Sequence, residues 1–163
     1  MVELILDWFL SDTNFKLFSA AFLGAAIGLE RELSGKDPSL RTFALISLGS
    51  CLFTLASVET VSTPGLHGDP ARIAAQVVSG IGFLGAGVIF KSKERVYGLT
   101  TAALMWMTAA IGMCVGIGRL DIAYSGTIIG LIVIVALRAV HEILNRIEGI
   151  WQKPKSNDSS RME

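Results

Sequence analysis

The sequence predicts an all-α integral membrane protein, a bundle of about five transmembrane helices with the amino terminus outside and the carboxyl terminus in the cytoplasm. Three observations carry that prediction. First, 52% of the 163 residues are hydrophobic and only 17% charged, with a mean hydropathy of +0.57. A soluble domain is about one-quarter charged, and a chain this small has too little interior to hide so many apolar side chains. Second, the apolar residues fall into five runs, each near the roughly 17–25 residues that a bilayer crossing requires. Third, the cations between those runs alternate from side to side.

Residues 1–14 are acidic at Glu3 and Asp7 and carry Trp8 and Phe9. They lack the positive start of a secretory signal and read as an interfacial lead-in. The first run, 15–29, is short for a crossing. The others are 42–58, 73–90, 99–118 and 122–137, and together the five make a membrane part at 15–137. Backbone in lipid must satisfy its own hydrogen bonds, and the runs show no strand-like alternation, so they are expected to be helices rather than barrel strands. Polar loops at 31–41, 59–72 and 91–98 and a tight turn at 119–121 separate them. The last segment, 138–163, begins with Val140, Ile143, Leu144, Ile147 and Ile150 at helical spacing opposite Glu142, Arg146 and Glu148. That pattern is an amphipathic helix on the inner interface or a continuation of the fifth span. The polar residues after Trp151 are expected to be disordered.

Lys and Arg collect in cytoplasmic loops. The first loop, the third loop and the tail hold Arg31, Lys36, Arg41, Lys91, Lys93, Arg95, Arg138, Arg146, Lys153, Lys155 and Arg161, eleven cations, against Lys16, Arg72 and Arg119 on the opposite side. Eleven against three requires an odd number of spans and sets the orientation. The zero formal net charge offers nothing to nucleic acid.

The third run contains Gly80-Ile81-Gly82-Phe83-Leu84-Gly85, a literal dinucleotide fingerprint without the strands that such a site needs. In lipid these glycines fit helix packing instead, because small residues let backbones approach. Gly80, Gly82, Gly85 and Gly87, with the pairs Gly24/Gly28 and Gly112/Gly116, are the expected packing positions, chiefly within one bundle, with dimer contact as the minority reading. Asp69-Pro70 reads as an N-cap and first helical residue. Arg72, Gln76 and Ser79 then share a face with Gly80, and an amide at membrane depth must find a partner; interhelical hydrogen bonding explains them equally well. Thr100, Thr101, Thr108 and Trp106 follow in the fourth run, although threonines also bond their own helix. Glu30-Arg31-Glu32 and Arg41-Thr42 meet at the inner face as a candidate ion-pair cluster, or as plain interfacial anchors. Cys51 and Cys114 read as small buried hydrophobes, and His67 and His141 as solvated. No catalytic, cofactor or metal constellation emerges.

In order along the chain, the segments Gly28-Leu29-Glu30-Arg31-Glu32, Leu40-Arg41-Thr42 with Leu48-Gly49, the long Asp69-to-Gly87 stretch, and Gly98-Leu99-Thr100-Thr101-Ala102-Ala103 with Trp106 resemble the MgtC/SapB family of bacterial membrane proteins. The resemblance covers about residues 20–137. It implies an inner-membrane protein of about five spans, linked to growth in low magnesium, acid tolerance and virulence. It implies a regulator of other membrane proteins, the F-type ATP synthase among them, rather than a magnesium carrier. Some members carry a cytoplasmic ACT-like domain larger than the 26 residues at 138–163. Thr100 stands where the best-known members have Asn.

The leading expectation is therefore a non-enzymatic regulator acting by helix-to-helix contact, with the bilayer, other membrane proteins and a second copy as candidate partners. The alternative is an ion transporter or channel. Magnesium prefers carboxylate and water oxygens, yet the spans hold no Asp or Glu away from their ends.

Overall fold

In the computed structural model, residues 7–8, 11–62, 69–93 and 95–151 are described. The chain forms five helices and one hairpin among them: α1 (Asp12–Leu33), α2 (Leu40–Ser62), α3 (Pro70–Gly87), β1 (Phe90–Ser92), β2 (Arg95–Tyr97), α4 (Leu99–Gly116) and α5 (Leu120–Trp151). This is an all-α membrane fold. Three helices, Leu40–Ser62, Leu99–Gly116 and Leu120–Leu144, are long and apolar enough to cross a membrane, and Ala71–Gly87 is a shorter apolar helix. At 22 residues, α1 is about 33 Å long. Its charges at Lys16 and Glu30 leave only the 13 residues 17–29 uncharged between them. Most of the amino-terminal lead-in, His67 and the tail after Trp151 lie outside the described residues.

The chain divides into two compact units, Met1–Ile128 and Ile129–Glu163. In the first, α1, α2 and α4 form the core, and α3 packs against α2 and α4. Fully buried Ala20, Ile27, Phe43, Cys51 and Val115 lie at its centre. Glycine sets the spacing of these helices. A Cβ on Gly24 would lie 2.5 Å from the Phe43 carbonyl oxygen, and one on Gly28 2.5 Å from the Leu40 Cα. From α4, a Cβ on Gly112 would strike the Ser47 carbonyl, and one on Gly116 would lie 2.6 Å from the Thr54 Cβ. α2 is thus held between two glycine pairs, an approach that no larger residue permits.

The α3 glycines differ. Only Gly85 meets a neighbour, the Ala102 Cβ at 3.5 Å, while Gly80, Gly82 and Gly87 face open space. For those three the structure departs from the expected packing within the bundle. The reason is that α3 lies at the edge of the core, with Gly80 on the α2–α3 groove and Phe83 80% exposed.

The third run also ends earlier than its hydrophobicity suggests. α3 stops at Gly87, and Phe90 is already in a strand. Phe90 pairs with Tyr97, Lys91 with Val96 and Ser92 with Arg95, around a reversal in which Lys93 takes φ 53°. The hairpin closes on Gly98, whose φ of +86° favours glycine and whose Cβ would collide with the Val88 carbonyl. The expected polar loop is therefore ordered. At the other end of the bundle Arg119 and Asp121 form a two-bonded ion pair of 2.9 and 3.0 Å in the tight turn before α5.

The first residues of α5 belong to the first unit, with Ala123 and Thr127 buried. The second unit is the rest of that helix. Its apolar residues Ile132, Val135, Leu137, Val140, Ile143 and Ile147 are all exposed, as are Glu142 and Arg146 on the amphipathic part.

Candidate functional site

The polar residues singled out by the sequence sort into a knot at one end of the bundle and a face along α3. The knot begins where α1 ends. Arg31 is only 3% exposed, although it stands among Glu30 and Glu32 in a stretch expected at the surface. Its Nη2 donates to the Thr101 Oγ1 at 3.2 Å, a buried bond across 70 residues, and the Thr101 hydroxyl donates in turn to the Asp37 carbonyl at 3.5 Å. One side chain thereby joins the end of α1, the loop 34–39 and the start of α4. Glu30 is half-buried and accepts from the Ser34 hydroxyl at 2.9 Å. The Glu32 carboxylate accepts from the Leu40 N–H at 3.2 Å, capping α2.

The proposed surface cluster of Glu30, Arg31, Glu32 and Arg41 is thus divided. Arg31 turns inward, because Thr101 offers it an acceptor beneath the surface. Arg41 stays exposed and makes no ion pair among the described residues. Thr42 is half-buried, and Thr100, one residue from Thr101, is exposed.

On α3, Asp69 caps the helix by accepting the Ala71 N–H at 2.9 Å, with Pro70 at the first turn. Arg72, Gln76 and Ser79 are exposed. Gln76 lines a groove of about 860 Å³ between α2 and α3, with Thr42 at its far end. The groove brings Gln76 and Thr42 onto one lining, while Arg72 and the residues of the knot lie outside it. Trp106, 54% exposed, borders a second cavity of about 400 Å³ with Ser57, Ala71 and Cys114. Cys51 and Cys114 are both free thiols, the first buried and the second partly so.

Ser47, Ser50, Thr54 and Ser57 recur at intervals of three and four along α2, and all four are buried. Thr54 donates to the Ser50 carbonyl at 2.8 Å, as Thr108 does to Leu104 at 2.7 Å and Thr127 to Ala123 at 2.8 Å. These threonines satisfy their hydroxyls on their own helices. Among the described residues no three His, Cys, Asp or Glu side chains gather as a metal site.

Comparison with known proteins agrees with this picture. The MgtC family model matches residues 17–143. The chain is 43% identical over 136 residues to the Escherichia coli K12 protein named "Putative magnesium transporter YhiD", covering 81% of this chain and 62% of that one. It is 44% identical over 131 residues to Protein MgtC of Salmonella typhimurium, covering 80% and 54%. An uncharacterized Haemophilus influenzae protein is 42% identical over 123 residues, covering 72% and 52%. The chain thus spans 52–62% of the length of these relatives. No solved structure matches it. With a family model over most of its length and relatives above 40% identity, this chain belongs to the MgtC family.

Proposed function

We propose that this chain is a multi-pass protein of the bacterial inner membrane, amino terminus outside, that serves magnesium homeostasis as a non-enzymatic regulator of other membrane proteins. Subunits of the F-type ATP synthase are the candidate partners, and adaptation to low magnesium, acid stress and virulence the setting. The observation that carries this reading is the outward face of α3. Ser79 and Gly82 are exposed there, both outside the α2–α3 groove, and a Cβ on Gly82 would meet nothing within 4 Å. A hydroxyl facing lipid can be satisfied by an interhelical hydrogen bond, and a glycine beside it lets a second helix approach. Gly82 is the position to test, because Gly85 already touches Ala102. Gly82→Leu is expected to insert and fold normally yet lose at least most of its captured partner on co-purification from native membranes. Undiminished capture would count against the contact.

The name that YhiD carries favours a second reading, in which the protein itself moves magnesium. The interior offers little to that ion, since among the described residues the buried polar side chains are Arg31 and hydroxyls, with no carboxylate, and magnesium usually keeps waters and takes carboxylates. Liposomes holding only this protein are expected to show no magnesium influx above empty liposomes, followed with an entrapped magnesium-sensitive dye. Protein-dependent influx would make transport the function.

A further inference from the structure

We propose that the α2–α3 groove, together with the cations at its mouth, binds one anionic phospholipid of the adjoining leaflet, with acyl chain in the groove and phosphate at Arg41 and the hairpin. The groove runs from Thr42 to Phe53 along α2, a rise of about 17 Å at 1.5 Å per residue. Half of a bilayer core about 30 Å thick is roughly 15 Å. The length therefore matches the depth of one leaflet, as a lipid chain requires, and is short for a helix crossing the whole membrane. Its lining is apolar apart from Thr42, Ser50 and Gln76, and two of its walls are bare backbone, since a Cβ on Gly49 or Gly80 would meet nothing within 4 Å. The chain's own side chains leave about 860 Å³ unfilled there.

Charge at the mouth selects the headgroup. Thr42, at that end, follows exposed Arg41. On the α3 side, Leu84 lies within a turn of the end of α3 at Gly87, and the hairpin that follows exposes Lys91, Lys93 and Arg95. None of these four cations forms an ion pair among the described residues. Glu32, the acid beside α2, is engaged on the Leu40 N–H. Phe90 and Tyr97 are exposed and stacked, ring centroids 5.3 Å apart, which suits aromatic side chains at headgroup level. Basic pockets at the ends of transmembrane helices hold lipid phosphates in this way, Arg through paired N–H donors. A zwitterionic lipid has the same chains, but its own ammonium offsets the phosphate charge.

The test is native mass spectrometry of the full chain in detergent with equimolar phosphatidylglycerol and phosphatidylcholine. One phosphatidylglycerol is expected to be retained roughly five-fold or more over phosphatidylcholine, the ratio that one cation–headgroup contact supplies. The double variant Arg41→Gln/Lys91→Gln, changed only at exposed positions, is expected to retain the two lipids equally. Gly80→Leu, and Gly49→Leu as an independent second filling of the groove, are expected to lower retention of both lipids. Equal retention by the unaltered chain, an unchanged preference in the charge variant, or undiminished retention in both leucine variants would overturn the proposal. So would a co-purifying transmembrane polypeptide lost in the leucine variants while the lipid preference persists. Gly82 does not line the groove, so failure here and failure of the proposed regulatory contact are read from different variants.

Discussion

Gly112→Ala is expected to lower the melting temperature of the detergent-solubilised protein sharply, and Gly112→Leu to prevent folding. The added Cβ would strike the Ser47 carbonyl, with the Ser47 Cα only 3.0 Å away. Both obstacles are backbone in the middle of α2, where fully buried Ser47 and Cys51 leave no room to shift. Overpacking in a core costs about 1–3 kcal/mol, and more where backbone must move. α2 is also in close contact with α1, because Gly24 lies against Phe43, Ala44 and Ser47, so a shift of α2 would disturb that packing as well. Gly82→Ala is the matched control, since its Cβ meets nothing and alanine is the better helix former by about 1 kcal/mol. It is expected to melt at or above the temperature of the unaltered protein. Equal melting of the Gly112 and Gly82 alanine variants in a fluorescence-monitored thermal scan would refute the three-helix crossing.

The second large effect is expected at the buried arginine. Thr101→Val keeps the shape of the side chain and removes an acceptor from Arg31, which is 3% exposed. Bonds to charged groups contribute about 1.5–3 kcal/mol, and a buried donor left short of one loses its desolvation without return. Arg31→Met removes the charge together with its demand for acceptors. The pair is expected to be non-additive, with the double variant more stable than the sum of the single losses, because groups sharing one bond are coupled. Three chain segments meet at this bond, so the loss is expected to loosen the start of α4 and the loop 34–39 together. Hydrogen exchange at those backbone amides measures this directly, and unchanged protection in Thr101→Val would remove the knot from consideration as a structural tie.

These two sites show unequal legibility in the sequence. Gly24/Gly28 and Gly112/Gly116 carry the same four-residue spacing that marks close-packed helices, and each lies against a neighbouring helix. Gly80, Gly82 and Gly87 belong to an uncharged run of eighteen residues, 73–90, yet they meet open space. A helical period states which residues share a face and not what that face meets. Arg31 is similar. Its position beside Glu30 and Glu32 reads as a charged surface segment, and only the approach of α4 brings the Thr101 hydroxyl to its guanidinium. The hairpin at Phe90–Tyr97 leaves no mark in the sequence because its strands are three residues each, too short for alternation to register, and because Phe90 extends the apolar run preceding it.

Composition and the lengths of the apolar runs determined the class of this protein and the number and order of its helices. Lipid supplies no hydrogen-bond partners, so each apolar run can satisfy its backbone only by coiling on itself, and that constraint is local to the run. The tertiary structure alone decided which glycines pack, which arginine is buried and where a groove remains. Those outcomes depend on the distance between segments remote in the chain, such as Arg31 and Thr101, and lipid is as apolar as the side chains it meets, so hydrophobicity does not sort one helix face from another.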